Sequence, residues 1–390
     1  MKTVVLVGSG VVSIPPKFGG AIEMIIYEIA RFLPKNKFNV FVLDGKEKHN
    51  KKTENINGVL YNRSFVPKFG NIFLLRLSET LFGLLSIKKI NKINSVKKVD
   101  IIHAHTVFTG LPLTLLKSFL PKSSKLIYTS HNPAWTVERK NMDVFNRIIL
   151  KMEGYIIKNS DFVTTVSDTM RENIIKETKI NKAKIKRIYN FVDLKKFSPN
   201  KKGFKEKLGI TGPMVLFVGK LIPNKGVEYL IRSAAIVKRD VPNVKYVLVG
   251  PMSFEYQGEN KWINLVKKLG LEDTIIFTGA LSDEELPYAY ASADVFCFPT
   301  LKESFGIVLI EAMASGLPII TSKLDTLMEV VKDASILVDP YNVHNISDKV
   351  SDLLKSKKIR TKLIKSSLLN SRKFNTKKTI NEYSKLYNLI

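Results

Sequence analysis

Pro299-Thr300-Leu301-Lys302-Glu303-Ser304-Phe305-Gly306-Ile307-Val308-Leu309-Ile310-Glu311-Ala312-Met313-Ala314-Ser315-Gly316-Leu317-Pro318 is the stretch from which the rest of this chain can be read. An apolar run, 295–298, ends at Pro299, and helical periodicity resumes at Phe305. The spacing therefore predicts a buried strand, a polar loop and a helix over 305–314. Glu303 falls just before that helix and Glu311 about two turns into it. Glu311 has Leu309, Ile310, Ala312 and Met313 as neighbours, a setting in which a bare carboxylate is costly. The paired hydroxyls of a polyol would offset that cost, because carboxylates accept strongly from such donors. The first turn of the helix leaves backbone N–H groups free for a phosphate, and Gly306 keeps the main chain approachable there. The residues alone leave a second reading open, in which Glu303 complements the helix dipole and Glu311 pairs with a lysine.

Working outward, strand-like runs at 4–7, 40–43, 101–104, 125–129 and 162–166 alternate with amphipathic stretches such as 21–33. A second series follows at 214–218, 246–249, 275–277, 295–298, 318–321 and 335–338, with helical stretches at 225–238, 261–269 and 305–314. This alternation predicts an α/β protein of two domains, each a parallel sheet with helices on both faces. The Pro- and Lys-containing stretch 190–203 marks the junction. Ligands of such sheets bind beyond the carboxyl ends of the strands, so the loops after strands carry the candidate chemistry.

One such loop, 218–227, offers Gly219, Lys220 and Lys225, either to neutralise a diphosphate or as solvated lysines in a basic chain. Another places Gly19 and Gly20 at the entrance to a helix, either to admit a phosphate or to make an ordinary turn. Gly8-Ser9-Gly10 is not a full dinucleotide fingerprint. His103 and His105 flank Ala104 and share one face if the segment is extended. His131 follows the strand 125–129, as a catalytic or a structural residue.

The chain has 390 residues, room for two or three domains of about 150 each. Its 62 Lys+Arg against 35 Asp+Glu give a net charge of +27, a field that attracts nucleic acid, acidic lipid or phosphorylated small molecules. No nucleic-acid module is evident, so nucleic acid is not an expected partner. The lone Cys297 lies in an apolar run and is expected to be buried, which permits a reducing compartment. No secretory signal is expected, since Met1-Lys2-Thr3 runs straight into an apolar strand. The nearest approach to a membrane span, 72–87, is interrupted by Arg76 and Glu79. Phe73, Leu74, Leu75, Leu77, Leu81, Phe82, Leu84 and Leu85 precede Lys88, Lys89, Lys92, Lys97 and Lys98. This apolar-then-basic stretch either packs within its domain or docks on anionic lipid. A cytoplasmic location, peripheral at the inner face of the cell membrane, is the expectation.

Taken together, these residues resemble glycosyltransferase family 4, over nearly the whole chain. The most specific match is Glu303 through Glu311 with the following Ala312-Met313-Ala314-Ser315-Gly316-Leu317-Pro318. The Gly219-Lys220…Lys225-Gly226 loop, Phe18-Gly19-Gly20 and Ile102-His103-Ala104-His105 match in order, as do Asn190-Phe191-Val192-Asp193 and Phe277-Thr278-Gly279. The resemblance implies the GT-B fold: two Rossmann-like domains with parallel sheets facing across an interdomain cleft. The acceptor domain would span 1–200, with a final helix in 372–390 packing back on it, and the donor domain 201–371. It implies that Glu303 binds the donor sugar and Glu311 the nucleotide ribose. Lys220 and Lys225 would hold the diphosphate with the main chain at Phe305, Gly306, Ile307 and Val308, and with Gly219 and Gly279 among the donor-binding residues. Gly19 and Gly20 would approach the same phosphates, and His131 the reacting centre.

The activity implied is retaining hexosyl transfer from a nucleotide-diphosphate sugar to a glycan or lipid-linked acceptor. The nucleotide sugar is a co-substrate, and neither a further cofactor nor a metal is expected. Three features depart from the family pattern. Lysine stands at 220 where arginine is commoner, Phe191 replaces a linker glycine, and 321–329 lacks the usual Gly-Gly pair. The competing classes are a sugar-nucleotide epimerase or phosphorylase on the same frame, and a non-catalytic basic protein binding membrane or nucleic acid.

Overall fold

The computed structural model describes residues 1–16, 20–47, 50–67, 72–137, 140, 142–252 and 258–390. The chain divides into two compact units, Met1–Tyr189 with Lys377–Ile390, and Asn190–Thr376.

The first unit is built on eight strands: β1 (Lys2–Val7), β2 (Phe38–Gly45), β3 (Thr53–Ile56), β4 (Val59–Ser64), β5 (Ile101–Ala104), β6 (Lys125–Ser130), β7 (Phe162–Thr165) and β8 (Ile185–Arg187). Their order is β3-β4-β2-β1-β5-β6-β7-β8, parallel throughout except for the β3–β4 pair. Val4, Val5, Leu6 and Val7 are wholly buried, as a central strand covered on both faces requires. The hairpin β3–β4 was not among the expected strands, although its turn is the strong pair Asn57-Gly58, both residues at positive φ. β3 alternates exposed and half-buried residues and β4 alternates buried with exposed or half-buried ones, which weakens the apolar signal that identifies their neighbours.

The helix Ile72–Val96 packs against Val107–Leu115, and Gly83 lets them approach closely: a β-carbon there would stand 2.9 Å from the Thr109 carbonyl oxygen. The apolar-then-basic stretch packs within its domain along one side only. Phe82, Ile87, Ile90 and Ile93 are buried, whereas Phe73, Leu77, Leu81 and Leu84 form an exposed stripe that continues into exposed Lys88 and Lys92. Arg76 and Glu79, which interrupt the run, pair with each other at 3.0 Å. Among the described residues, no helix is long and apolar enough to cross a membrane.

The second unit contains β9 (Met214–Val218), β10 (Lys245–Val249), β11 (Ile275–Gly279), β12 (Val295–Phe298), β13 (Ile319–Ser322) and β14 (Ser335–Val338). All pair in parallel, in the order β11-β10-β9-β12-β13-β14. The order reverses between β9 and β12, the point at which doubly wound sheets open a crevice. Helices Val227–Asp240 and Val343–Lys355 pack together, burying Leu230, Ile231, Ala234 and Val237 from one and Ile346, Val350 and Leu353 from the other. Cys297 is buried in β12.

The junction lies earlier than residue 200. Asn190 onward packs with the second unit, where the Phe197 ring meets Tyr290 edge-on at 5.7 Å. Residues 372–376 also stay there: Val192 N–H donates to the Phe374 carbonyl, and the Phe374 ring meets Phe305. The helix Thr376–Leu389, apart from its first residue, belongs to the first unit.

Candidate functional site

At the carboxyl end of the second sheet the side chains give way to glycine. Gly219 N–H donates to Val249 O, and Gly250 N–H donates to Gly279 O, each at 2.9 Å, so three strand ends are stitched by main chain. Gly250 has no alternative, because a β-carbon there would stand 1.9 Å from the Gly219 carbonyl oxygen. Gly219 and Gly279 were expected at the site; Gly250 was not, though it directly follows an expected strand.

The loop after β9 is held from both sides. Trp262 donates its indole N–H to Leu221 O at 2.8 Å, and Leu221 N–H donates to Pro251 O. On the other side Leu301 N–H and the Thr300 hydroxyl both donate to Asn224 O. Gly226 closes this contact at φ 72°, where a β-carbon would lie 1.8 Å from Pro299 O. The loops after β9 and β12 are thereby joined, and Lys225 Nζ donates to Glu303 Oε2 at 2.7 Å. Lys220, by contrast, is exposed.

The helix Ile307–Ala314 begins at Gly306, with φ 82° and ψ 67°, and no side chain caps it. Its first N–H groups are thus available to an anion, and the two residues that carry them, Ile307 and Val308, are only half-buried. Phe305 contributes only main chain, since its ring is in the core. Glu311 Oε2 accepts from the Tyr290 hydroxyl at 2.9 Å. Burial pushes its carboxyl up to about 7, against the Tyr290 hydrogen bond and the nearby Lys196, which favour the charged form. Of the two readings left open, Glu303 has a lysine partner and Glu311 has a tyrosine. The segment without the Gly-Gly pair starts the helix Asp325–Val331, where Thr326 donates to Glu303 O and Leu327 packs beside Gly306.

In the first unit, Gly20 starts the helix Ala21–Phe32 with φ 84° and ψ 64°, again without a side-chain cap. The two units thus carry the same backbone device at Gly20 and Gly306. Gly19 lies outside the described residues. His103 and His105 do share a face, with ring centres 4.1 Å apart. His105 Nδ1 lies 3.3 Å from His131 Nε2, which brings the three expected histidines into one cluster. His103 is tied to Thr129 and to Tyr387 of the last helix, at 2.6 Å each. Burial pushes the His103 imidazole down to about 3 and His131 to about 4, so both are neutral near pH 7. The loop bearing His131 is fixed by Glu153, a buried carboxylate that accepts from Tyr128, Ser130, Asn132 and Trp135. Glu153 escaped sequence reasoning because its partners are distant in the chain; a carboxylate inside an amphipathic helix was the only local sign.

Two parallel α/β units, one carrying a carboxylate pair, a lysine and an uncapped helix at its switch point, define the GT-B class of glycosyltransferase. Residues 200–368 match the family described as "Glycosyl transferases group 1", and residues 18–196 match "Glycosyltransferase Family 4". An uncharacterized glycosyltransferase of Methanocaldococcus jannaschii is 30% identical over 353 residues, covering 85% of each chain. Sucrose-phosphate synthase from Thermosynechococcus elongatus shares the fold with a TM-score of 0.83 at 20% identity, over 100% of this chain and 99% of that one. So does the Anabaena protein HepE in complex with UDP-glucose, with a TM-score of 0.75 at 18% identity over 100% of both chains. The chain belongs to glycosyltransferase family 4 and is a glycosyltransferase.

Proposed function

We propose that the enzyme transfers a hexosyl unit from a nucleoside-diphosphate sugar to an acceptor, with retention at the anomeric carbon. The observation that carries this reading is the β9–β12 switch point, where Lys225, Glu303 and the uncapped helix at Gly306 stand together. Glu303 takes sugar hydroxyls and Glu311 the ribose diol. The Lys225 ammonium has three donors, of which Glu303 engages one, and the others serve the diphosphate along with Lys220 and the helix N–H groups. Gly219 and Gly279 leave room for the ligand to lie on main chain. Gly20 and His131 keep the phosphate and reacting-centre roles that the resemblance implies. UDP-glucose in the HepE structure supports the donor class.

The barrier lies in parting an oxocarbenium-like sugar from its diphosphate, so catalysis rests on positioning and on stabilising the leaving charge. The diphosphate itself can accept the acceptor's proton. Lysines and a helix start supply the positive charge, and chelators are expected to leave the rate unchanged. The acceptor proposed is a lipid-linked glycan or glycolipid precursor. The exposed stripe from Phe73 to Lys92 would meet it at the anionic cytoplasmic face of the membrane, its apolar end in the headgroup boundary and its lysines on the phosphates.

The test is calorimetric titration with a panel of nucleotide sugars, on the wild type and on Glu311→Ala. Micromolar binding of one donor, lost in the variant, is expected. Release of free nucleoside diphosphate only in the presence of acceptor distinguishes transfer from epimerisation. A folded protein that binds no donor at any salt concentration overturns the reading.

A further inference from the structure

The histidine cluster of the first unit holds an unbalanced atom. His105 is 1% exposed, and its Nε2 is buried without a hydrogen-bond partner among the described residues. Its other nitrogen, Nδ1, faces His131 Nε2 at 3.3 Å, with the two rings stacked at 22°. His131 is half-buried, and among the described residues its ring is hydrogen-bonded to His105 through Nε2 and not through Nδ1. Burial lowers the proton affinity of both imidazoles, so each ring carries one proton near pH 7.

Two neutral imidazoles in contact leave only two arrangements. In one, His131 donates from Nε2, and His105 must then carry its proton on the buried, partnerless Nε2. In the other, His105 donates from Nδ1, and the partnerless atom is a bare ring nitrogen. A buried ring nitrogen without a partner is costly in either form, but orphaned N–H groups are rarer in protein interiors than under-satisfied acceptors. The second arrangement is therefore favoured, and it determines where His131 keeps its proton.

We propose that His105 is a positioning residue for His131: it donates its Nδ1 proton to His131 Nε2 and so holds His131 as the Nδ1–H tautomer. The Nδ1 of His131 is then a hydrogen-bond donor, suited to an oxygen of the reacting sugar rather than to the removal of a proton. The placing of that oxygen rests on the function proposed above; the tautomer does not. Thr129, which accepts or donates at His103, and Tyr387, on the other nitrogen of the same ring, keep His103 against His105, tilted at 34°, and limit its rotation.

The experiment is long-range proton–nitrogen NMR of the full chain labelled at its 5 histidines, with His131 assigned by loss of its signals in His131→Gln. The expected spectrum shows His131 protonated at Nδ1 and bare at Nε2. His131 protonated at Nε2 overturns the proposal, and where His131→Gln fails to fold, backbone-to-ring correlations in the wild type make the assignment instead. In His105→Ala the His131 signals should move toward the Nε2-protonated form. His105→Asn, whose amide nitrogen stands where Nδ1 stood, should restore them. Transfer assays should follow, with kcat about tenfold lower in His105→Ala, KM for the donor within about twofold, and most of the loss recovered in His105→Asn. An unchanged kcat in His105→Ala overturns the positioning role. The NMR needs no donor, so an inactive wild type with the expected tautomer counts against the transferase reading alone.

Discussion

Glu311 is the residue on which pH should act. Its carboxyl would lose its proton near 4.5 in the unfolded chain and does so at about 7 in the folded one. Below 4.5 both states are protonated; as pH rises toward 7 the unfolded chain releases its proton first, so this group's contribution to stability falls across that window. Donor binding has the opposite sign, because the ionised carboxylate is the better acceptor for a ribose diol. Nucleoside-diphosphate affinity should therefore rise as pH passes through about 7, and calorimetry on Glu311→Gln should show that dependence flattened. Gly226 is the residue on which geometry should act. Gly226→Ala puts a β-carbon 1.8 Å from Pro299 O at a positive φ, whereas Gly209→Ala adds one at φ 65° in open space. In urea melts the second should cost about 1 kcal/mol and the first more than about 2, with donor affinity lost only in the first. Lys225 and Glu303 were legible as types of residue at suitable spacing. Their ion pair was not, since it depends on a glycine contact between two loops that only the folded sheet brings together.

At the scale of elements, legibility followed burial. β9 and β12 are covered on both faces and stand out as unbroken apolar runs. The hairpin Thr53–Ile56 with Val59–Ser64 sits at the sheet's edge, where at least half of each strand is polar, and only its Asn-Gly turn announced it. The helix Ile72–Val96 was ambiguous for a different reason: it is apolar on an inner and an outer stripe at once, so periodicity alone could not say which face is covered. Its outer stripe yields a prediction. Lys88→Glu with Lys92→Glu should weaken binding to vesicles containing anionic phosphatidylserine by roughly thirtyfold, at about 1 kcal/mol for each lysine lost, and by more once repulsion is added. Sedimentation with vesicles measures it, and equal binding by the folded double variant counts against docking through this face.

For the whole molecule, the last helix is the feature that the family resemblance placed and local reading did not explain. Lys2 Nζ donates to Tyr387 O at 2.9 Å, the Phe38 ring meets the Tyr387 ring edge-on, and the Tyr387 hydroxyl reaches His103. The helix thus joins the first two strands of the chain to the histidine cluster. A chain ending at Thr376 should leave the first unit destabilised and the second, which is continuous over Asn190–Thr376, nearly unchanged. Hydrogen exchange resolved by unit measures this: protection should fall in β1, β2 and β5 while β9 to β12 keep theirs.

That arrangement also sets an order of assembly on the ribosome. The opening sheet is made first, yet its covering helix emerges only after the whole of Asn190–Thr376 has been translated, roughly ten to forty seconds later at about 5–20 residues per second. The second unit can mature in that interval while the first waits with the seam around His103 uncovered. Chaperones that bind nascent chains would find their target there, on the unit whose sheet is translated before Asn190–Thr376 and whose covering helix is translated after it.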